Sequence, residues 1–432
     1  MMLCLAEMDS PERLLAGAVA GLIGVKLLVD LGLDRLNQRH VAAHADTVPE
    51  AFREVVDAET YRRSVDYTLT RGRLGQLETV WETLVLLAVL FSGVLPALWR
   101  AWSGRFGAGE LATAGFLFVC GVGLSLLSLP FDWYGQFRVE SRFGFNTTTP
   151  RLWWTDRLKG LLIGAVLLVP LVWLLLKLVG WMGPHWWIWG AGVLVGFQLV
   201  MAFVAPIWLL PLFNKFTPLP EGPLRDRLLA LAKRTCFQAR AIEVMDGSKR
   251  SRHSNAFFTG LGRFRKIVLF DTLVEQLSDE ELEAVLAHEI GHFRLRHVPK
   301  MLLLSSAQVL AGFALLAWLA RQEWFYRAFD LPPQPVGLAF LLFILLAGPV
   351  MFWVSPLINH WSRRHEYEAD AFAAQAVGSP EPLIAALRKL ATKNLSNLTP
   401  HPLYSAFHYS HPTLLEREAA LRRVTVAPPD AG

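Results

Sequence analysis

His288, Glu289 and His292 stand in the order His-Glu-x-x-His at the end of a run that opens on Ser278. A serine ahead of this pattern predicts an N-capped helix. Two imidazoles four residues apart lie one turn apart on the same helix face, so both can reach a single ion. Zinc accepts such nitrogens at about 2.0–2.1 Å and, where it is catalytic, leaves one position for water. Glu289, beside the first histidine, is placed to accept a proton from that water, whose pKa the bound metal lowers to about 7. The competing reading is a helix with two satisfied surface histidines.

An open site of this kind needs a third protein ligand. Downstream, Ser362-Arg-Arg-His365-Glu366-Tyr367-Glu368-Ala369-Asp370-Ala-Phe-Ala is again helical in character. Glu366 and Asp370 are four apart and share a face, Glu368 points roughly opposite, and His365 lies about 100° away. One carboxylate binding the metal while another orients a ligand histidine is a sound arrangement. A solvated helix with Arg–Glu pairs fits the periodicity equally well.

The elements that must hold these residues are mostly apolar. Of 432 residues, 53% are hydrophobic and 18% charged, and the mean hydropathy is +0.34. An ordinary soluble domain carries roughly 25% charged residues, so the composition excludes a disordered chain and an ordinary cytosolic enzyme. Cys4, Cys120 and Cys236 are too few and too scattered for a disulfide scaffold. A net charge of +5 is too small to indicate a nucleic-acid partner and suits basic loops against anionic headgroups. The sixteen tryptophans fit a bilayer interface.

A hydrocarbon core about 30 Å thick takes roughly 20 apolar helical residues. Residues 111–130 and 301–320 are uncharged stretches of that length, and 331–360 is longer, its spanning part beginning near Val336. The apolar run 160–176 and the uncharged stretch between Lys177 and Lys215 make two spans broken near Gly183-Pro184. Residues 14–33 and 78–99 complete an expected seven spans, although they carry Lys26 and Asp30, and Glu78 and Glu82. These charges, with Lys177, either pair locally or snorkel to an interface, or face water inside the bundle. The connection after the first span holds Arg35, Arg39, Arg53, Arg62, Arg63, Arg71 and Arg73, and the later odd connections are also basic. The positive-inside rule then puts the N-terminus outside and the C-terminus in the cytosol, with the Asn146 and Asn394 sequons cytosolic and unglycosylated. No cleavable signal is evident in the first residues.

Residues 218–300 alternate helical and strand-like patterns: a helix at 224–234, strands at 241–245, 254–259 and 266–270, and a turn at 260–265. The tail from Trp361 is polar and helical. The expected organisation is therefore spans one to five with their connections in 1–217, a catalytic insert in 218–300, spans six and seven in 301–360, and tail helices supplying the third ligand in 361–432.

Taken together, His288–His292 and Ser362-Arg-Arg-x-Glu366-Tyr-x-Ala-Asp370-x-Phe-Ala resemble the type I CAAX prenyl endopeptidases, integral-membrane zinc proteases of the gluzincin group. Arg138-Val-Glu-Ser-Arg-Phe-Gly-Phe-Asn146-Thr-Thr-Thr, the stretch 212–223 and Tyr409-Ser-His411-Pro-Thr-Leu-Leu-Glu-Arg417 agree with it. The resemblance covers nearly the whole chain, departing slightly between Asn146 and Pro150. It implies a mainly α fold: seven membrane helices enclosing a water-filled chamber, plus a small α/β cytosolic catalytic domain. It also implies one Zn2+ per chain on His288, His292 and Glu366, with Glu289 as base and Asp370 orienting a ligand. His411 and Arg417 would stand near the metal, where cationic donors can hold an oxyanion; spacing alone does not select them, since six residues apart they share no face of one helix. A strand like Ser254-Asn255-Ala256-Phe257-Phe258-Thr259 pairs with substrate backbone in such enzymes, and Asn255 and Ala256 are the candidate contacts. An ordinary hairpin strand fits the same residues.

The function this resemblance implies is hydrolysis of peptide bonds near the C-terminus of membrane-associated, isoprenylated proteins. The alternatives are a membrane quality-control protease without prenyl specificity and a transporter or channel with a structural metal site. The last is disfavoured because structural zinc is usually closed by four protein ligands. The expected partners are a peptide or protein substrate and the bilayer. The last residues carry no Lys-Asp-Glu-Leu-type signal, which favours a bacterial inner membrane over the endoplasmic reticulum.

Overall fold

The structure is a computed structural model and describes residues 10–237, 241–259 and 266–425. The turn expected at 260–265 and Cys4 lie outside the described residues. The chain opens with four helices: α1 (Ser10–Ala43), α2 (Ala58–Phe91), α3 (Val94–Phe106) and α4 (Glu110–Tyr134). The expected span at 78–99 is not one helix. Ser92 ends α2 and Gly93, at φ 78°, adopts a left-handed conformation open chiefly to glycine, so the chain breaks there and restarts as α3. In the other direction α2 reaches back to Ala58, through residues expected to form a basic connection.

A wider turn (Gly135–Glu140) leads through the short α5 (Ser141–Phe143) to α6 (Pro150–Met182) and α7 (Trp186–Val204), which are separated at Gly183–His185. Among the described residues six stretches are long and apolar enough to cross a membrane, and the protein is a mainly helical, multi-pass membrane protein. Where the sequence suggests seven spans, the fourth of these six stretches, Pro150–Leu212, has 63 residues and contains two of the expected spans. The membrane-length helices share a continuous apolar core that includes Ile23, Leu90, Phe116, Leu176, Trp186, Phe313 and Leu338.

Four strands follow, β1 (Phe216–Pro218), β2 (Ala241–Met245), β3 (Ala256–Thr259) and β4 (Lys266–Phe270), with α8 (Pro223–Arg234) between the first two. They form one sheet in the order β1-β2-β4-β3: β2 and β4 are parallel, the outer pairs antiparallel, and β3 is an edge. Then come α9 (Asp271–Gln276), α10 (Asp279–Arg294), α11 (His297–Leu319), α12 (Glu323–Arg327) and α13 (Gly337–Val377). The chain ends in α14 (Glu381–Lys393), α15 (Pro402–His408) and α16 (Leu414–Leu421).

The small α/β catalytic domain expected from the sequence is not supported. The sheet flanks a unit that is mostly helical, because its apolar core runs from Leu228, Ile267 and Leu269 through α10 into Ala373 of α13, Ile384 of α14 and Leu421 of α16. The tail also docks on the membrane helices: Ser64 of α2 donates to the Ser396 carbonyl at 2.6 Å, and His401 N–H donates to Asn37 of α1 at 3.0 Å.

α13 ties the two regions together. Its 41 residues rise about 60 Å, twice a hydrocarbon core, and it passes unbroken through residue 360, where the apolar part was expected to end. Its polar end makes the most extensive helix–helix contact in the molecule, against α10. Gly291 allows it: a Cβ there would stand 3.1 Å from the Ala369 Cα and carbonyl oxygen. Because those atoms are backbone, relief requires the helices to part. Gly291→Ala is expected to cost about 1–3 kcal/mol as overpacking, read as a lower thermal midpoint of the detergent-solubilised protein; Gly291→Val is expected to cost more and to loosen metal retention.

Candidate metal centre and active site

Ser278 caps α10 as expected, and a reciprocal bond from Ser278 N–H to Glu281 completes a capping box. Along the flank of α10, Glu283 is gripped by Arg227 and Arg234 of α8 at 2.5 and 2.7 Å. The helix is therefore held at its start and along its flank, and His288 and His292 are delivered from a fixed frame.

The three expected ligands converge. His288 Nε2 and His292 Nε2 are 3.1 Å apart, His292 Nε2 lies 3.3 Å from Glu366 Oε1, and His288 Nε2 lies 3.6 Å from Glu366 Oε2. Donor atoms about 2.05 Å from one tetrahedral ion are roughly 3.3 Å from each other, so these separations suit zinc. Glu366 is 3% exposed, and its Oε2 is buried without a hydrogen-bond partner among the described residues. His411 Nδ1 comes within 2.8 Å of that oxygen, but off the hydrogen-bonding direction. A buried carboxylate oxygen left open in this way fits a cation.

Asp370, one turn along α13, places Oδ1 2.9 Å from His288 Nδ1. Arg417 binds the same carboxylate with both arms of its guanidinium, Nε to Oδ2 at 2.8 Å and Nη2 to Oδ1 at 2.6 Å. Burial works against the Arg417 charge, but Asp370, Glu366 and Glu289 outweigh it and hold the group firmly protonated. The Glu366 carboxylate likewise raises the pKa of His411 against the opposing effect of burial. Burial pushes the Glu289 carboxyl upward, Glu366 adds to this, and His288, His292 and Arg417 oppose it. Glu289 makes no hydrogen bond or ion pair with another described residue, which leaves its carboxylate free to exchange a proton.

His411 and Arg417 meet because they do not share a helix. Thr413 caps α16 with a capping box, His411 precedes the cap in a bend, and Arg417 lies just inside the first turns. Arg363 and Asn359 of α13 secure this approach, donating to the carbonyls of Tyr409 at 2.6 Å and Phe407 at 2.9 Å. Neither was singled out from the sequence, although Arg363 sits inside the Ser-Arg-Arg motif. His297 was also missed: it stands 3.0 Å from His292, five residues on, a spacing that carries no helical-face signal.

The structure does not bring Asn255 and Ala256 into this cluster. Asn255 Oδ1 accepts from Ala256 N–H at 2.8 Å, at the start of the edge strand β3, beside α10. Next to the site a cavity of about 840 Å³ is lined by Asp34, Asn37, Tyr67, Tyr404, His411 and Arg417.

An open two-histidine, one-carboxylate group with a neighbouring glutamate, at the polar end of a membrane helix bundle, defines a membrane metalloprotease. Residues 37–215 match the family described as CAAX prenyl protease N-terminal, five membrane helices, and residues 218–425 match Peptidase family M48. A CAAX prenyl protease 1 homolog from Oryza sativa subsp. japonica is 35% identical over 398 residues, covering 89% of this chain and 92% of its own. CAAX prenyl protease 1 of Saccharomyces cerevisiae is 34% identical, covering 88% and 89%, and the Homo sapiens homolog is 32% identical, covering 89% and 90%. The crystal structure of S. mikatae Ste24p superposes with a TM-score of 0.88 at 32% identity, covering 96% of this chain and 99% of that one. The chain belongs to the M48 peptidases, in their CAAX prenyl protease branch.

Replacing Arg417 by Met leaves the Asp370 carboxylate buried beside His288 without its cation, a loss expected at about 3–5 kcal/mol. Arg417→Lys restores charge but not the two-armed grip, so its thermal midpoint should fall between those of the Arg417→Met variant and the native protein.

Proposed function

We propose that this protein is a zinc endopeptidase acting on membrane-associated substrates, with His288, His292 and Glu366 as the metal ligands. The observation that carries the reading is the convergence of these three groups, whose donor atoms lie 3.1–3.6 Å apart, with one buried Glu366 oxygen making no hydrogen bond among the described residues. Zinc bound there supplies Lewis acidity and lowers the pKa of a water molecule. Glu289 accepts the proton from the attacking water and passes it to the leaving amine. His411 and Arg417 face the same centre and donate to the oxyanion that develops on the scissile carbonyl. Asp370 holds His288 in the tautomer that offers Nε2, and it anchors Arg417. The free edge of β3, starting at Asn255 and Ala256, offers N–H and C=O groups to an extended peptide.

The substrate proposed is a protein with a C-terminal, isoprenylated Cys-a-a-X sequence, which is what the relatives are named for. The orientation proposed puts the site on the cytosolic face, in accord with the arginines gathered at the end of α1, in the loop and in the first half of α2 (Arg35, Arg39, Arg53, Arg62, Arg63, Arg71, Arg73). The 63-residue stretch Pro150–Leu212 is taken as two crossings broken at Gly183, which makes seven in all, and the cavity beside His411 as part of a larger watered chamber. The four-part organisation at 217, 300 and 360 is retained on the same grounds. The relatives reported above are eukaryotic and lend the bacterial inner-membrane expectation no support.

Glu289→Gln should keep the fold and the metal while peptide hydrolysis falls by about 10²–10⁴-fold or more; undiminished cleavage by this variant removes the mechanism. A farnesylated Cys-a-a-X peptide should be cut faster than its unmodified twin. Equal rates would point to quality-control proteolysis without prenyl specificity.

A further inference from the structure

Just beyond the second ligand, Leu295 ends α10, Arg296 turns the chain at φ 58°, and His297 opens α11 against the outer edge of His292. His292 and His297 face each other through their Nδ1 atoms at 3.0 Å. His297 Nε2 lies 3.0 Å from Glu368 Oε2, and Glu368 Oε1 accepts from Arg364 Nε at 3.2 Å. His297 is 2% exposed and stacks on His365, with centroids 4.1 Å apart and planes at 11°.

The proton positions along this row follow from one condition. If His292 offers the lone pair of Nε2 to a metal, its hydrogen sits on Nδ1. His297 must then accept at Nδ1, and a neutral ring accepting there carries its own hydrogen on Nε2. That hydrogen points at Glu368. Every donor in the row meets an acceptor in this arrangement, and moving one proton leaves two donors or two acceptors face to face.

His297, His365 and Glu368 are also close enough together to suggest a second metal group. Their geometry argues otherwise. A metal–imidazole bond lies in the ring plane, and two rings stacked nearly parallel 4.1 Å apart cannot both direct a lone pair at one ion. Lys300 and Arg364 add positive charge beside them.

We propose that His297 is a positioning residue for the metal centre: it fixes the tautomer and orientation of His292 and connects that ligand to the Glu368 carboxylate. The inference rests on His292 being a zinc ligand. It gives the two ligand histidines different support. His288 is backed directly by an anion, at 2.9 Å from Asp370, whereas His292 is backed by a neutral ring with the anion one step further out.

The test compares His297→Leu, which fills the space but accepts no hydrogen bond, with His297→Gln, whose carboxamide oxygen can accept from His292 Nδ1–H. The full-length protein in detergent is titrated with zinc against a chelator, and the cobalt(II)-substituted form is examined by visible absorption. Loss of such a supporting partner typically weakens metal binding roughly 10–100-fold. The Leu variant is expected to lose zinc affinity by that factor and to change the cobalt bands, and the Gln variant to recover most of both. Native zinc affinity in the Leu variant, or equal weakening in Leu and Gln with matching falls in thermal midpoint, overturns the proposal. Two zinc ions per native chain, one of them lost in the Leu variant, overturns it in favour of a second metal site. His292→Ala separates the underlying reading: if it retains tight zinc the ligand assignment itself fails, whereas zinc loss in His292→Ala with none in His297→Leu removes only the role of His297.

Discussion

Two carboxylates on successive turns of one helix, both almost sealed from water, dictate much of this molecule. Glu366 and Asp370 are 3% and 1% exposed. A buried carboxylate persists in its charged form only where cations or hydrogen-bond donors compensate the lost hydration. Here the compensation comes from two distant parts of the chain: the histidines of α10, and the tail segment that carries the imidazole of His411 and the guanidinium of Arg417. The active site and the folding of the polar tail are therefore one electrostatic problem. The tail must return to α13, because without it Asp370 is a buried charge with only a neutral ring for company.

That requirement explains features that look incidental when taken singly. α10 and α13 must approach within backbone contact for His288 and Glu366 to face one point, and glycine at 291 permits it. α16 must present Arg417 with both arms of its guanidinium to Asp370, so its start is fixed by a capping box at Thr413 and its flank by the half-buried ion pair of Arg388 and Glu418. The strand-rich insert supplies the other wall. Its sheet packs against α8 and α10 rather than forming a separate domain, and its β3 edge, unpaired among the described residues, lies beside α10.

What the sequence discloses and what it hides divide along the same line. Local periodicity locates His288, Glu289 and His292, puts Glu366 and Asp370 on one face, and finds α8, β2 and β4 to within a residue. Glu368 does point away from the face that carries Glu366 and Asp370, as the helical period implies. What it points at is His297, which no period connects to it because they belong to different helices. His411 and Arg417 escape a periodic reading for a related reason: a helix cap lies between them, so their spacing has no fixed angular meaning. The second span is misplaced because Gly93 breaks a run whose composition is apolar on both sides. A window of hydropathy reports solvent preference, and a left-handed backbone turn leaves no mark on it.

Of the charged residues expected inside the membrane-length helices, Lys26, Asp30 and Lys177 follow the local-pairing reading. Lys26 and Asp30 form an ion pair at 2.7 Å on one face of α1, and Lys177 reaches Glu110 at 3.1 Å. Pairing of this kind is how apolar surroundings tolerate charge. Asp34, one turn beyond Asp30, instead lines the same 840 Å³ cavity as His411 and Arg417. The polar face of α1 thus runs from this pair, a turn later, onto the cavity that His411 and Arg417 also line. Since Asn37 on this helix also holds the His401 backbone, α1 both walls the cavity and anchors the tail that carries Arg417.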